Sequence, residues 1–161
     1  MKTLFSLFIA ALLASASFAQ QQLPVISLKA INGTTVSSNF FIDSAKPTVI
    51  SFWATWCIPC RQELDAIADN WEKFQNTGAR FIAVATDDSR SEAAIPSLIK
   101  ANGWEFDIFL DDNQNLKLAL NITDIPHTIV IDKNGRIIKR LQGYYPGQEQ
   151  ALITFLKSLH R

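Results

Sequence analysis

The only two cysteines of this 161-residue chain are Cys57 and Cys60, with Ile58 and Pro59 between them. Two thiols at this spacing can pass electrons to a disulfide, provided the backbone lets their sulfurs meet. Inside a regular helix, side chains three apart hold their Cβ atoms about 5–6 Å apart, whereas a disulfide wants about 3.5–4.5 Å, so the first cysteine must leave helical geometry. That places Cys57 at a helix N-cap and Pro59 in the first turn, where a missing N–H costs no intrahelical bond. Free amides and the positive end of the helix dipole then face the Cys57 sulfur, and stabilisation of up to about 2 kcal/mol lowers a thiol pKa by roughly one unit or more. Cys57 is therefore the expected nucleophile, and Cys60, one turn inside, the thiol that resolves a mixed disulfide. A purely structural disulfide is the competing reading, but so short a loop removes only about 2 kcal/mol of unfolded-state entropy. A structural zinc site needs four ligands, and His127 and His160 lie too far apart for finger spacing, so no metal is expected.

The flanking pattern supplies the elements that must position this pair. Thr48–Trp53 is nearly continuous in β-branched and aromatic residues, as in a central strand buried on both faces. After Pro59, Cys60, Leu64, Ile67, Trp71 and Phe74 recur at helical spacing, giving one buried stripe that Gly78 should end. Residues 25–29 and 34–37 flank Asn32-Gly33 and read as a hairpin. Strands are expected at 81–85, 106–110 and 127–131, helices at 92–100 and 113–120, and a hairpin partner at 136–142 after Lys133-Asn134-Gly135. A last helix over 148–159 should bury Leu152, Phe155, Leu156 and Leu159. Strands alternating with helices predict an α/β class: a mixed sheet covered on both faces.

Composition narrows the setting. Fifteen basic residues balance fifteen acidic ones, leaving no field to steer the chain onto phosphate backbones, so no nucleic-acid partner is expected. With 48% apolar residues the chain can bury a core large enough to exclude a disordered class. Met1 and Lys2 precede a mostly apolar run, and Ser17-Phe18-Ala19 places small residues where a signal peptidase inspects them. Residues 1–19 are expected to be a cleavable signal peptide and 20–161 a single domain. Ser6, Ser15 and Ser17 interrupt the run that a membrane anchor would need, so export to a periplasmic or other extracytoplasmic space is expected.

The segment Phe52-Trp53-Ala54-Thr55-Trp56-Cys57-Ile58-Pro59-Cys60-Arg61 resembles the active-site segment of the thioredoxin superfamily, and the chain from residue 20 onward is similar to its exported TlpA/ResA-type branch. The similarity spans the N-terminal hairpin, an additional helix between Ala85 and Phe106, and Ile125-Pro126 before Val130-Ile131-Asp132-Lys133-Asn134-Gly135. It implies a thioredoxin-like fold and a cis peptide at Pro126 facing the cysteines, where Ile125 would offer backbone to an extended substrate. Gly143 would line the same groove, with Trp56, Ile58 and Pro59 completing the substrate-binding set. Two departures matter. The buried acid that thioredoxins carry before the Phe-Trp pair is Ser51 here, so the Cys60 proton needs another group, and Glu63 is the candidate by helical spacing and by its match to the branch. Asp65 replaces a helix-kinking proline and is expected to face solvent in a straighter helix.

The expected activity is reduction of protein disulfides by an extracytoplasmic thiol-disulfide oxidoreductase, because Ile58-Pro59 carries no charge or histidine to hold the reduced thiolate strongly. Cytochrome c maturation and general thiol maintenance are the settings considered. Expected partners are protein disulfides and a membrane thiol-disulfide electron donor; the protein is expected to act as a monomer without a cofactor. Two alternatives stay open: a disulfide oxidase or isomerase on the same chemistry, and a copper(I) chaperone using Cys57, Cys60 and His127. Peroxiredoxin relatives of this fold place Thr or Ser three residues before their reactive cysteine, where this chain has Ala54. His127 otherwise reads as a surface strand histidine.

Overall fold

In the computed structural model, residues 21–159 are described; the expected signal peptide lies outside them. Seven strands form one sheet: β1 (Ser27–Ala30), β2 (Thr35–Ser37), β3 (Thr48–Trp53), β4 (Arg80–Ala85), β5 (Asp107–Leu110), β6 (His127–Ile131) and β7 (Ile137–Gln142). Their order is β2-β1-β5-β4-β3-β6-β7, with β3, β4 and β5 mutually parallel and the remaining pairs antiparallel. The helices are α1 (Ile58–Asp69), α2 (Trp71–Gln75), α3 (Ile95–Asn102), α4 (Asn115–Ala119) and α5 (Gln148–Ser158).

All six residues of β3 are buried, as its sequence predicts, because both faces are covered. Val49 and Trp53 pack with Leu64, Ile67, Leu152 and Leu156 on the face beneath α1 and α5. Ile50 and Phe52 pack on the opposite face with Phe41, Leu116 and Leu120. Ser51 belongs to the first face by strand alternation, which puts a hydroxyl beneath α1 in an otherwise apolar wall.

Three expectations need correction. The stripe from Cys60 to Phe74 is carried by two helices, because α1 stops at Asn70, whose side-chain amide donates to the Ala66 carbonyl (2.9 Å) and diverts the chain before Trp71. Asp65 does not simply face solvent: it is half-buried and accepts a 2.9 Å hydrogen bond from the Trp104 indole. In α5, Ile153 is buried in the core whereas Leu159 is exposed, since the helix ends at Ser158.

Candidate active site

Cys57 has extended backbone (φ −87°, ψ 101°) and caps α1, so the strand-to-helix junction supplies the non-helical residue that the spacing requires. Cys57 and Cys60 are joined in a disulfide, with their Cα atoms 5.3 Å apart. The Cys60 N–H donates to Cys57 Sγ at 3.3 Å, and this amide would hold negative charge on the sulfur after reduction. Cys60 is fully buried; Cys57 keeps 6% of its surface, less than a helix start alone would leave it, with the Ile125 carbonyl against its sulfur. Trp56, Ile58 and Pro59 are all exposed around it.

The Ile125–Pro126 peptide is cis, as the resemblance implied, and the Ile125 carbonyl oxygen lies 3.9 Å from Cys57 Sγ. In the oxidised form that sulfur has no proton to donate, so this is a contact and not a hydrogen bond. Gly143 donates its N–H to the Pro126 carbonyl at 2.8 Å. Its φ of +72° is a conformation that favours glycine, so its place beside the Pro126 turn depends on backbone freedom. Ile125, Pro126 and Gly143 are thereby brought together next to the disulfide.

Glu63 is buried beneath the sheet, 5% exposed, one turn after Cys60 on the same stripe. The Ser51 hydroxyl donates to its Oε2 at 2.8 Å and the Thr128 hydroxyl to its Oε1 at 2.7 Å. Burial pushes its pKa above the ordinary carboxyl value, opposed by the Thr128 and Ser51 hydrogen bonds. Among the described residues no ion pair includes Glu63. Burial thus disfavours the charged carboxyl while the two hydroxyls donate to it.

His127 lies on the other side. Thr128 faces Glu63, so its strand neighbour points to the opposite face, where His127 Nε2 is 3.3 Å from Arg140 Nη1. Burial first and Arg140 second hold its pKa below the usual histidine value.

Two contributors were not identified from sequence. Asp87, 2% exposed, follows β4 and accepts from the Thr55 N–H (3.0 and 3.2 Å) and the Thr55 hydroxyl (2.5 Å), pinning the loop that delivers Cys57. Its position after the carboxyl end of a parallel strand, where α/β folds build sites, was the available signal. Tyr144 donates to Glu149 at 3.2 Å. Its phenol pKa is pushed up to about 12 by burial, by Glu149 and, to a smaller extent, by Glu63.

Residues 19–140 match the AhpC/TSA family. The thiol-disulfide oxidoreductase ResA of Bacillus subtilis (strain 168) is 29% identical over 98 residues, 61% of this chain and 54% of ResA, so the chain spans about half the length of that relative. The thioredoxin-like protein YneN of the same organism is 32% identical over 121 residues, 73% of this chain and 67% of YneN. The solution structure of a thioredoxin-like protein from Porphyromonas gingivalis superposes with a TM-score of 0.74 at 40% identity, covering 85% of this chain and 90% of that one. The crystal structure of StoA from Bacillus subtilis, at 24% identity and a TM-score of 0.66, covers 82% of this chain and 97% of StoA, a likeness of fold alone. Because the matched stretch runs through the hairpin, the disulfide segment and the cis-proline turn, the chain belongs to the AhpC/TSA family and its fold is thioredoxin-like.

Proposed function

We propose that the protein is an exported thiol-disulfide oxidoreductase that reduces disulfides in other proteins, as its similarity to ResA suggests. The observation that carries this reading is the Cys57–Cys60 disulfide at the start of α1, with the Cys60 N–H directed at the outer sulfur and a carboxyl buried one turn further on. In the reduced protein the Cys57 thiolate attacks one sulfur of a client disulfide; that S–S bond breaks, the second client sulfur leaves as a thiolate, and a mixed disulfide forms. Cys60 then gives its proton to the Glu63 carboxylate and attacks Cys57 Sγ. The client leaves with both sulfurs reduced, and the two electrons it gained are those lost in forming the Cys57–Cys60 bond. An extended client segment would lie along Ile125 and Gly143, with Trp56, Ile58 and Pro59 as the rim.

The uncharged Ile58-Pro59 pair supports a reducing poise over an oxidising one. Ala54 offers no hydroxyl three residues before Cys57, which counts against peroxide reduction. Among the described residues no helix is long and apolar enough to cross a membrane. The leader-like residues 1–19 support export, and a membrane thiol-disulfide partner would then return electrons. Cytochrome c maturation is one process that consumes such reducing power across a membrane.

The Glu63 role is tested with Glu63→Gln, which keeps size and helix propensity while deleting the base. Stopped-flow reduction of a small disulfide, quenched and mass-analysed, should show Cys57 attack almost unchanged and mixed-disulfide resolution slowed about 10-fold or more. Resolution at the wild-type rate from pH 6 to 9 would leave the Cys60 proton to water or to another group.

A further inference from the structure

Among the described residues no ion pair includes the buried Glu63 carboxyl, and its two hydrogen bonds come from two strands that meet only in the folded sheet. Ser51 on β3 and Thr128 on β6 are direct register partners, so their side chains stand side by side on the face beneath α1. The residue beside Ser51 on β4 is Ala83, whose side chain carries no polar group. Ser51 is fully buried and Thr128 is 1% exposed. Each hydroxyl meets a different carboxyl oxygen, at 2.8 and 2.7 Å.

We propose that Ser51 and Thr128 are positioning residues that set the protonation of Glu63 from the sheet side. This deepens the proposed function and rests on Glu63 as the acceptor of the Cys60 proton. The choice of hydroxyls has a chemical consequence. A lysine or arginine in this place would lock the carboxyl in its ionised form and make it a poor base, whereas an all-apolar wall would keep it protonated. A hydroxyl both donates and accepts. Toward a carboxylate, both groups donate; once Glu63 takes a proton, its own O–H can donate to one of them as that hydroxyl turns. The pair thus supports both states that a proton acceptor must pass through. The acid that thioredoxins carry before the Phe-Trp pair is replaced here by a holder for an acid supplied from the helix.

The other groups around the carboxyl are few. Cys60 shares its helix and stripe, and Tyr144, in the segment leading into α5, is near enough for Glu63 to help raise its phenol pKa while its hydroxyl donates to Glu149 on α5 at 3.2 Å. Ala83 is the β4 neighbour and carries no charge. None of these donates to the Glu63 carboxyl, so the two hydroxyls are the groups whose removal should move its titration.

The experiment follows the Glu63 carboxyl carbon by NMR in reduced protein labelled with 13C-glutamate, alongside the pH profile of mixed-disulfide resolution. Ser51→Ala removes one donor with little change of volume and should move the carboxyl midpoint up by about one pH unit; Thr128→Val should act similarly, and Thr128→Ser should restore the wild-type midpoint. Below the midpoint, one unit is a tenfold loss of the basic form, and resolution should slow in proportion. In a Glu63→Gln background, Ser51→Ala should leave the resolution profile unchanged. An unmoved carboxyl midpoint in Ser51→Ala overturns the proposal, and that variant suffices if Thr128→Val fails to fold. A shifted midpoint with an unshifted resolution profile supports control of Glu63 by the hydroxyls and instead removes Glu63 from the proposed reaction.

Discussion

Replacing Asp87 with alanine should loosen the loop that presents Cys57. The carboxylate receives the Thr55 N–H at 3.0 and 3.2 Å and the Thr55 hydroxyl at 2.5 Å, and Asp87 itself is 2% exposed. A hydrogen bond to a charged group contributes about 1.5–3 kcal/mol, and an orphaned donor costs a further share of its desolvation. Thr55 is half-buried, so water recovers part of that loss, and a net destabilisation of about 2–4 kcal/mol is expected. Asp87→Asn keeps one carbonyl oxygen for the backbone N–H and should cost about half as much. Urea unfolding of the oxidised proteins measures both differences through the midpoint at constant slope. Hydrogen exchange at the Thr55 amide should accelerate in the same order, since local opening no longer breaks a charge-assisted bond. If Asp87→Ala lies within about 0.5 kcal/mol of wild type, the level of an ordinary surface substitution, the loop is held by the strands alone and Asp87 is a bystander.

The folded state raises the Glu63 pKa, so its protonated form is favoured in the fold: the associated stability is fully present below the ordinary value of 4.5 and is lost as pH rises through the elevated value. Glu63→Gln should therefore gain stability relative to wild type as pH rises, levelling off once Glu63 is ionised; parallel curves from pH 4 to 9 would contradict the shift. Trp104→Phe removes the indole donor to Asp65 and should lower stability by about 1–2 kcal/mol in urea titration. The same substitution combined with Asp65→Ala should cost less than the two separate losses added together. In the reduced protein, iodoacetamide should modify Cys57 and leave Cys60 largely unlabelled, because Cys60 has no exposed surface and Cys57 retains 6% in the disulfide form. Peptide mapping reads the ratio, and preferential labelling of Cys60 would exchange their roles.

The parts of this architecture that depend on local pattern are readable from the chain alone. β3 announces itself as an apolar run, the α1 stripe as helical periodicity, and the N-cap role of Cys57 follows from the spacing of two thiols. The break at Asn70 was not readable, because an asparagine inside an apolar stripe looks like any polar helix position until its amide is seen on the Ala66 carbonyl. The setting of Asp65 is not legible for a similar reason: its partner, Trp104, comes from a distant segment, and no local rule joins them. The setting of Glu63 was only half legible. Helical spacing put it near Cys60, but the hydroxyls that hold it meet through the register of β3 with β6, and register depends on pairing across the whole sheet. Leu159 fits the α5 pattern and yet is exposed, since periodicity does not say where the helix stops covering the core.

In the proposed reaction Cys57 attacks client disulfides and Cys60 releases them. Its most direct test is a trapping comparison of reduced Cys60→Ala and Cys57→Ala proteins, each incubated with a disulfide-bonded protein substrate and analysed by mass spectrometry after acid quenching. Cys60→Ala should accumulate a mixed disulfide mapped to Cys57, because the second attack is missing, and Cys57→Ala should accumulate almost none, because Cys60 has no exposed surface. Equal trapping by both variants, or trapping through Cys60 alone, would contradict the account.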